Sequence, residues 1–165
     1  MNAQLNNGNV SNKQKGNYGE IVADYNMRNN SKLQDMGLYL KSIGRDCPTG
    51  LDSKIVKGID GIYINMNLSS EYRYVIDEAK FGTARLGETK RDGTQMSHDW
   101  LTNSKNGTDR IFNAVGDKVL ADDIRIAYKN GKVALIKSNI DSQGNIGIER
   151  LTSVGGTVKV TEKWI

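Results

Sequence analysis

Two stretches decide how this chain is read: residues 58–66, GIDGIYINM, and residues 72–81, YRYVIDEAKF. In the second, Tyr74, Val75 and Ile76 form an aromatic and β-branched run that reads as a strand and leads into an acidic pair. In the first, Ile59, Gly61 and Tyr63 alternate around Asp60, again a strand pattern. The link, residues 67–71, has the length of a hairpin connection. Side chains two apart on a strand share a face, so Glu78 and Lys80 project together from the end of an apolar strand. If the two strands pair, Asp60 lies beside Glu78. Neighbouring carboxylates repel each other unless a cation sits between them. Oxygen ligands at that spacing suit Mg²⁺ or Mn²⁺. Such a metal would activate water and shield a phosphate, while Lys80 orients the water or stabilises developing charge. Asp77 points to the opposite face and stays outside this set.

An acid–x–lysine triplet is a weak signal alone, since chance places roughly two in a chain of this composition. Three occur: Asp52-Ser53-Lys54, Glu78-Ala79-Lys80 and Glu88-Thr89-Lys90. Only the second follows a β-branched apolar run. The first precedes a strand, and the third sits in a glycine-bounded loop.

Around this centre, residues 16–44 read as mainly helical. Ile21, Val22 and Tyr25 form one apolar stripe, and Leu33, Met36, Leu40 and Ile43 form a second. Asn29, Asn30 and Ser31 separate the two, with Ser31 as an N-cap. The residues before Gly16 are asparagine-rich and apolar-poor, and read as a flexible lead-in over 1–15, with a single domain over 16–165. Ser97 is placed as the N-cap of a helix opening at Met96–Leu101. A further helix is expected over 109–120, with Ile111, Phe112, Val115 and Leu120 inward. From Asp123 the pattern turns to strand, with Asn130-Gly131 as a hairpin turn between IRIAYK and KVALIK. NIGIERL and TVKVTEKW follow, separated by Gly155-Gly156. The expected class is α+β, mixed α/β: a central β-sheet flanked by helices, and a C-terminal antiparallel β region.

Composition narrows the chemistry. The chain has 165 residues, one cysteine, Cys47, and one histidine, His98, which excludes a disulfide scaffold and a Cys/His zinc finger. The net charge is +4 and the pI about 9.1, a mild pointer to a polyanionic partner. No apolar run approaches the roughly 20 residues that span a bilayer. No charged segment followed by an apolar stretch opens the chain, so no signal peptide is expected.

GNYGE near the start, GIDGIY, YVIDEAKFG and GTQMSHDW together resemble the core of the PD-(D/E)xK nucleases. More narrowly they resemble the restriction-endonuclease-fold toxin domains at the C-termini of bacterial polymorphic and contact-dependent growth inhibition proteins. The resemblance covers roughly residues 16–105. It implies a restriction-endonuclease-like core in which Asp60 and Glu78 hold a divalent metal, Mg²⁺ or Mn²⁺ first and Zn²⁺ also compatible, with the Ala79 carbonyl as third ligand. It implies that Lys80 positions the attacking water. Glu20 would complete the site from the first helix, as a second-metal ligand or through water, and Gln95 would contact the site or substrate. The aspartate lacks the proline that often precedes it in the family.

The implied activity is hydrolysis of phosphodiester bonds in nucleic acid, DNA before tRNA. The implied partner is a cognate immunity protein, with no membrane insertion by this domain. The implied setting is export as part of a larger protein and action in the cytoplasm of a target cell. A restriction or repair nuclease of the same fold, and a non-catalytic mixed α/β binding module, stand as alternatives. His98 reads either as a general base or as an exposed helix residue, and Trp100 either as a base-stacking platform or as core. Arg85, Lys90, Arg91, Lys105 and Arg110 read either as phosphate grips or as a solvated surface interleaved with acids. Cys47 reads as a structural thiol.

Overall fold

The computed structural model describes residues 10–102 and 109–165. Lys105 lies outside the described residues. The chain opens with α1 (Asn12–Asn29) and α2 (Ser31–Asp35), followed by β1 (Leu40–Ser42), β2 (Gly61–Asn65) and β3 (Tyr74–Phe81). A small ribbon, β4 (Glu88–Thr89) and β5 (Gly93–Thr94), precedes α3 (His98–Thr102), α4 (Arg110–Val115) and α5 (Lys118–Lys129). The strands β6 (Val133–Ile140), β7 (Ile146–Val154) and β8 (Thr157–Lys163) close the chain. This is a mixed α+β architecture. Its six-stranded sheet runs β1-β2-β3-β6-β7-β8, with β3 and β6 parallel and all other neighbours antiparallel.

The alternation along β3 explains the layering. Tyr74 and Ile76 face a cluster with Trp100, Ile111, Ala121 and Ile124, so α3, α4 and α5 cover one face. Val75 faces the other way, among Met27, Leu33, Tyr63 and Ile136, under α1 and α2. Each fully buried aliphatic side chain contributes about 1.5–3 kcal/mol. The same period puts Glu78 and Lys80 on the α3–α5 side of β3 and Asp77 on the α1 side.

Several local expectations are corrected. The first helix starts within the expected lead-in, because Ser11 and Gln14 form a reciprocal capping box: Gln14 N–H donates to Ser11 Oγ at 3.2 Å, and Ser11 N–H to Gln14 Oε1 at 3.0 Å. Its buried stripe is Gly19, Ala23 and Met27, while Tyr25 is 63% exposed. The break falls at Asn30, whose side chain accepts from Lys32 N–H, so Asn30 rather than Ser31 caps α2. Leu40 is buried on a strand, not a helix, and Met36 is exposed.

Asn130-Gly131 is not a hairpin turn. Residues 120, 121, 124, 127 and 128 face the core at helical spacing, Asp117 caps the start by accepting from Leu120 N–H, and Ile126 is left exposed. Gly131, at φ +70°, then ends α5: Lys132 N–H donates to the Ala127 carbonyl and Gly131 N–H to the Tyr128 carbonyl, a Schellman ending. The helix expected over 109–120 is two helices parted by Gly116 at φ +69°, and Phe112 faces solvent. The β7–β8 pair, turning at Gly155-Gly156, forms as read, and Ser97 Oγ accepts from Trp100 N–H at 3.1 Å as an N-cap does.

Gly61 sits where no side chain fits. A Cβ there would lie 2.7 Å from the buried Tyr63 ring, two residues on along the same face. Gly61→Ala is expected to lower stability by about 1–3 kcal/mol through overpacking, read as a lower denaturant midpoint with an unchanged m-value.

Candidate functional site

β2 begins at Gly61, while β3 runs on to Phe81. Gly61 pairs with Asp77, so beyond that point the edge of β3 has lost its antiparallel neighbour. Asp60 fills the gap with its side chain: Oδ2 accepts from the Ala79 N–H at 3.0 Å. A cleft of about 550 Å³ opens here, and Glu20, Asp60, Glu78, Lys80 and Gln95 all line it. All five residues singled out in the sequence are therefore brought to one place, from α1, the residue before β2, strand β3 and the turn after β5.

The Lys80 ammonium donates to Glu78 Oε1 at 2.7 Å and to Gln95 Oε1 at 3.0 Å. Gln95 Oε1 also accepts from Gly87 N–H at 2.6 Å, which holds the amide in place. The next residue, Met96, is fully buried at φ +66°, a conformation unfavourable for a residue with a side chain. Burial of Met96 in the α3–α5 core holds that turn and fixes the direction from which Gln95 enters.

Glu78 is 2% exposed, and its second oxygen, Oε2, is buried with no hydrogen-bond partner. A buried carboxylate oxygen in that state is costly and calls for a proton or a cation. Burial raises the Glu78 pKa, with Lys80 opposing it. Burial also holds the Asp60 carboxyl well above the usual carboxylate range, helped by the Glu78 and Glu20 charges. Such crowding of acids, buried and shifted upward, is relieved when a divalent cation enters among them. Among the described residues, no group of three or more His, Cys, Asp or Glu side chains is already arranged to hold a metal. Glu20 and Asp60 are instead engaged by a residue that the sequence did not single out. Arg45 Nη2 lies 2.7 Å from Glu20 Oε2 and 3.2 Å from Asp60 Oδ1. Burial works against the guanidinium charge, but the two carboxylates outweigh it and raise its pKa. No local pattern marks Arg45, because its partners lie 25 and 15 residues away.

The remaining candidates separate. His98 is exposed, stacks on Tyr128 at 5.8 Å and lines a different depression, so it does not face the cleft. Trp100 is buried, with the Arg110 guanidinium 4.6 Å from its ring centre. Arg110 is occupied by Asp92 at 2.7 Å and the Trp100 carbonyl at 2.6 Å, although it borders the cleft. Arg85, Lys90 and Arg91 are exposed, and Lys57 adds a cation at the cleft wall. Burial pushes the Cys47 thiol up to about 11, and its S–H faces the Glu20 carbonyl at 3.7 Å, as suits a structural thiol.

No family model, curated protein or solved structure matches this chain. No described helix is long and apolar enough to cross a membrane.

Proposed function

We propose that this chain is a metal-dependent nuclease with a restriction-endonuclease-like core, acting as the C-terminal toxin of a contact-dependent inhibition system. The observation that carries the reading is the buried, unpartnered Glu78 Oε2, beside Asp60 and Lys80 in one cleft. A plain binding module has no use for an unsatisfied carboxylate there. Glu78 and Asp60, with the Ala79 carbonyl, would hold Mg²⁺ or Mn²⁺, and Zn²⁺ is compatible. The metal, when bound, supplies Lewis-acid polarisation of the phosphate and a lowered water pKa.

The protein's own groups do the positioning. An ammonium has three N–H donors. Lys80 commits two of them, to Glu78 and Gln95, which leaves the third for a water or a phosphate oxygen. Hydrolysis then has the water oxygen bond to phosphorus, its proton passing to solvent, as the bond to the leaving sugar oxygen breaks and that oxygen takes a proton from solvent, while Lys80 stabilises charge on the phosphoryl oxygens. This chemistry acts on the phosphodiester shared by DNA and RNA. DNA is placed first and tRNA second, on the family resemblance. The same resemblance supports a cognate immunity protein, delivery within a larger exported protein, and action in the target-cell cytoplasm. A chain of net charge +4 fits a partner with an acidic contact surface.

The test is incubation of the chain with plasmid DNA and with total tRNA, each with Mg²⁺, Mn²⁺ or Zn²⁺. Cleavage of one substrate, lost in excess EDTA and restored by added metal, is expected. Cleavage that continues unchanged in EDTA overturns the metal-dependent reading. Binding of the neighbouring gene product to the Lys80→Ala chain tests the toxin role separately.

A further inference from the structure

Arg45 is placed by the sheet. Past β1, Ile43 and Gly44 both donate their N–H groups to the Ile62 carbonyl, at 2.9 and 3.1 Å. Gly44 lies flush on that strand: an added Cβ would be 3.0 Å from Ile62 N. Arg45 follows directly, and its Nε–H donates to the Ile59 carbonyl at 3.1 Å, which turns the guanidinium into the site. The side chain is only 13% exposed. One nitrogen, Nη2, then serves both Glu20 and Asp60, so a fixed positive charge stands between two of the three acids of the cleft. The third acid, Glu78, has Lys80 on one oxygen and nothing on the other.

We infer that Arg45 is a resident cation that takes the place of a second metal, so that the site accepts a single divalent ion, at Glu78 and Asp60. This rests on the metal-dependent reading above and narrows it. With all three carboxylates ionised, as metal binding requires, they and the two fixed cations leave one net negative charge. One divalent ion is accommodated there, whereas a second would meet the guanidinium at close range. Glu20 is consequently a positioning residue. It holds Arg45 against Asp60 rather than ligating the metal itself.

The experiment is Mn²⁺ titration of the full chain, with bound equivalents counted by calorimetry and by the EPR signal of free Mn²⁺. The wild type is expected to bind one equivalent. Arg45→Ala, which frees Glu20 and an Asp60 oxygen, is expected to bind two. Glu20→Gln is expected to keep one equivalent with affinity within about tenfold of wild type, the scale of losing a nearby charge that is not a ligand. Glu78→Gln is expected to lose binding. Two equivalents in the wild type, one in a folded Arg45→Ala, or loss of binding in Glu20→Gln as complete as in Glu78→Gln would each overturn the inference while leaving a metal site in place. Should Arg45→Ala fail to fold, the wild-type count and Glu20→Gln still decide. Absence of Mn²⁺ binding by the wild type would overturn the metal reading itself, and this inference with it.

Discussion

Lys80→Ala is expected to lower nucleic-acid cleavage by at least about a hundredfold, the scale of losing one preorganised charge donor at a reacting group. Its ammonium is fixed by two acceptors, Glu78 Oε1 and Gln95 Oε1, so no other cation can take over the same position. Asp60→Asn and Glu78→Gln should be equally inactive, through the metal. These two variants should not unfold the protein. Both acids are buried and held above the usual carboxylate range, so removing one charge relieves repulsion in the metal-free chain. Inactive variants with unchanged or raised melting temperatures are therefore expected, as at sites where function is kept at the expense of stability. Glu88→Ala and Lys90→Ala alter the two exposed members of the triplet in the β4 region and should retain most activity. Full activity in any of the first three, or loss in the last two, would mean that the chemistry lies elsewhere. Circular dichroism and melting curves on each variant separate a lost site from a lost fold.

Asp77→Asn is expected to raise stability at pH 8 by on the order of 2–4 kcal/mol and to leave stability at pH 4 little changed. Asp77 is fully enclosed under α1, and burial pushes its carboxyl up to about 7 although Ser138 Oγ–H donates to it at 2.8 Å. An unfolded aspartate titrates near 3.9. Between those two values the folded chain binds the extra proton, so stability is greatest below about pH 4 and falls as pH rises towards 7. Asparagine is neutral throughout and still accepts from Ser138. Asp60 and Glu78 contribute slopes of the same sign, so the share of Asp77 is the difference between wild type and variant. Urea melts of both proteins at pH 4, 6 and 8 measure it. A variant whose stability tracks the wild type across that range would show Asp77 to be ionised in the fold.

The residues of the cleft were legible where strand geometry alone decides direction. Period two puts Glu78 beside Lys80 and sends Asp77 to the other layer, and pairing of β2 with β3 delivers Asp60. Arg45 was not legible, because its place comes from Gly44 lying on Ile62 across the β1–β2 edge, a contact no local pattern announces. The segment 124–128, IRIAY, satisfies both periods: Ile124, Ile126 and Tyr128 alternate, while Ile124 with Ala127 and Tyr128 makes a helical stripe. Asp117 as N-cap and the core made by Ile111, Trp100 and Leu135 decide for the helix, and the asparagine–glycine pair then serves as its ending. At the N-terminus, composition suggested a lead-in over 1–15, and the Ser11–Gln14 box starts a helix within it, while residues 1–9 lie outside the described residues.

The parallel pairing of β3 with β6 bears on the order in which this chain folds. β1 to β3 form one meander and β6 to β8 another, each built from pairings of neighbouring strands. Joining them requires closure of the whole excursion between Phe81 and Val133, at a chain-entropy cost of a few kcal/mol before any contact rewards it. Gln95 travels on that excursion, whereas Asp60, Glu78 and Lys80 belong to the first meander. Docking of β3 on β6 is therefore expected to be the late, slow step of sheet assembly. In refolding experiments, far-UV circular dichroism is expected to return ahead of the near-UV signal of the packed sheet, with the interval set by the time the crossover takes to find its place.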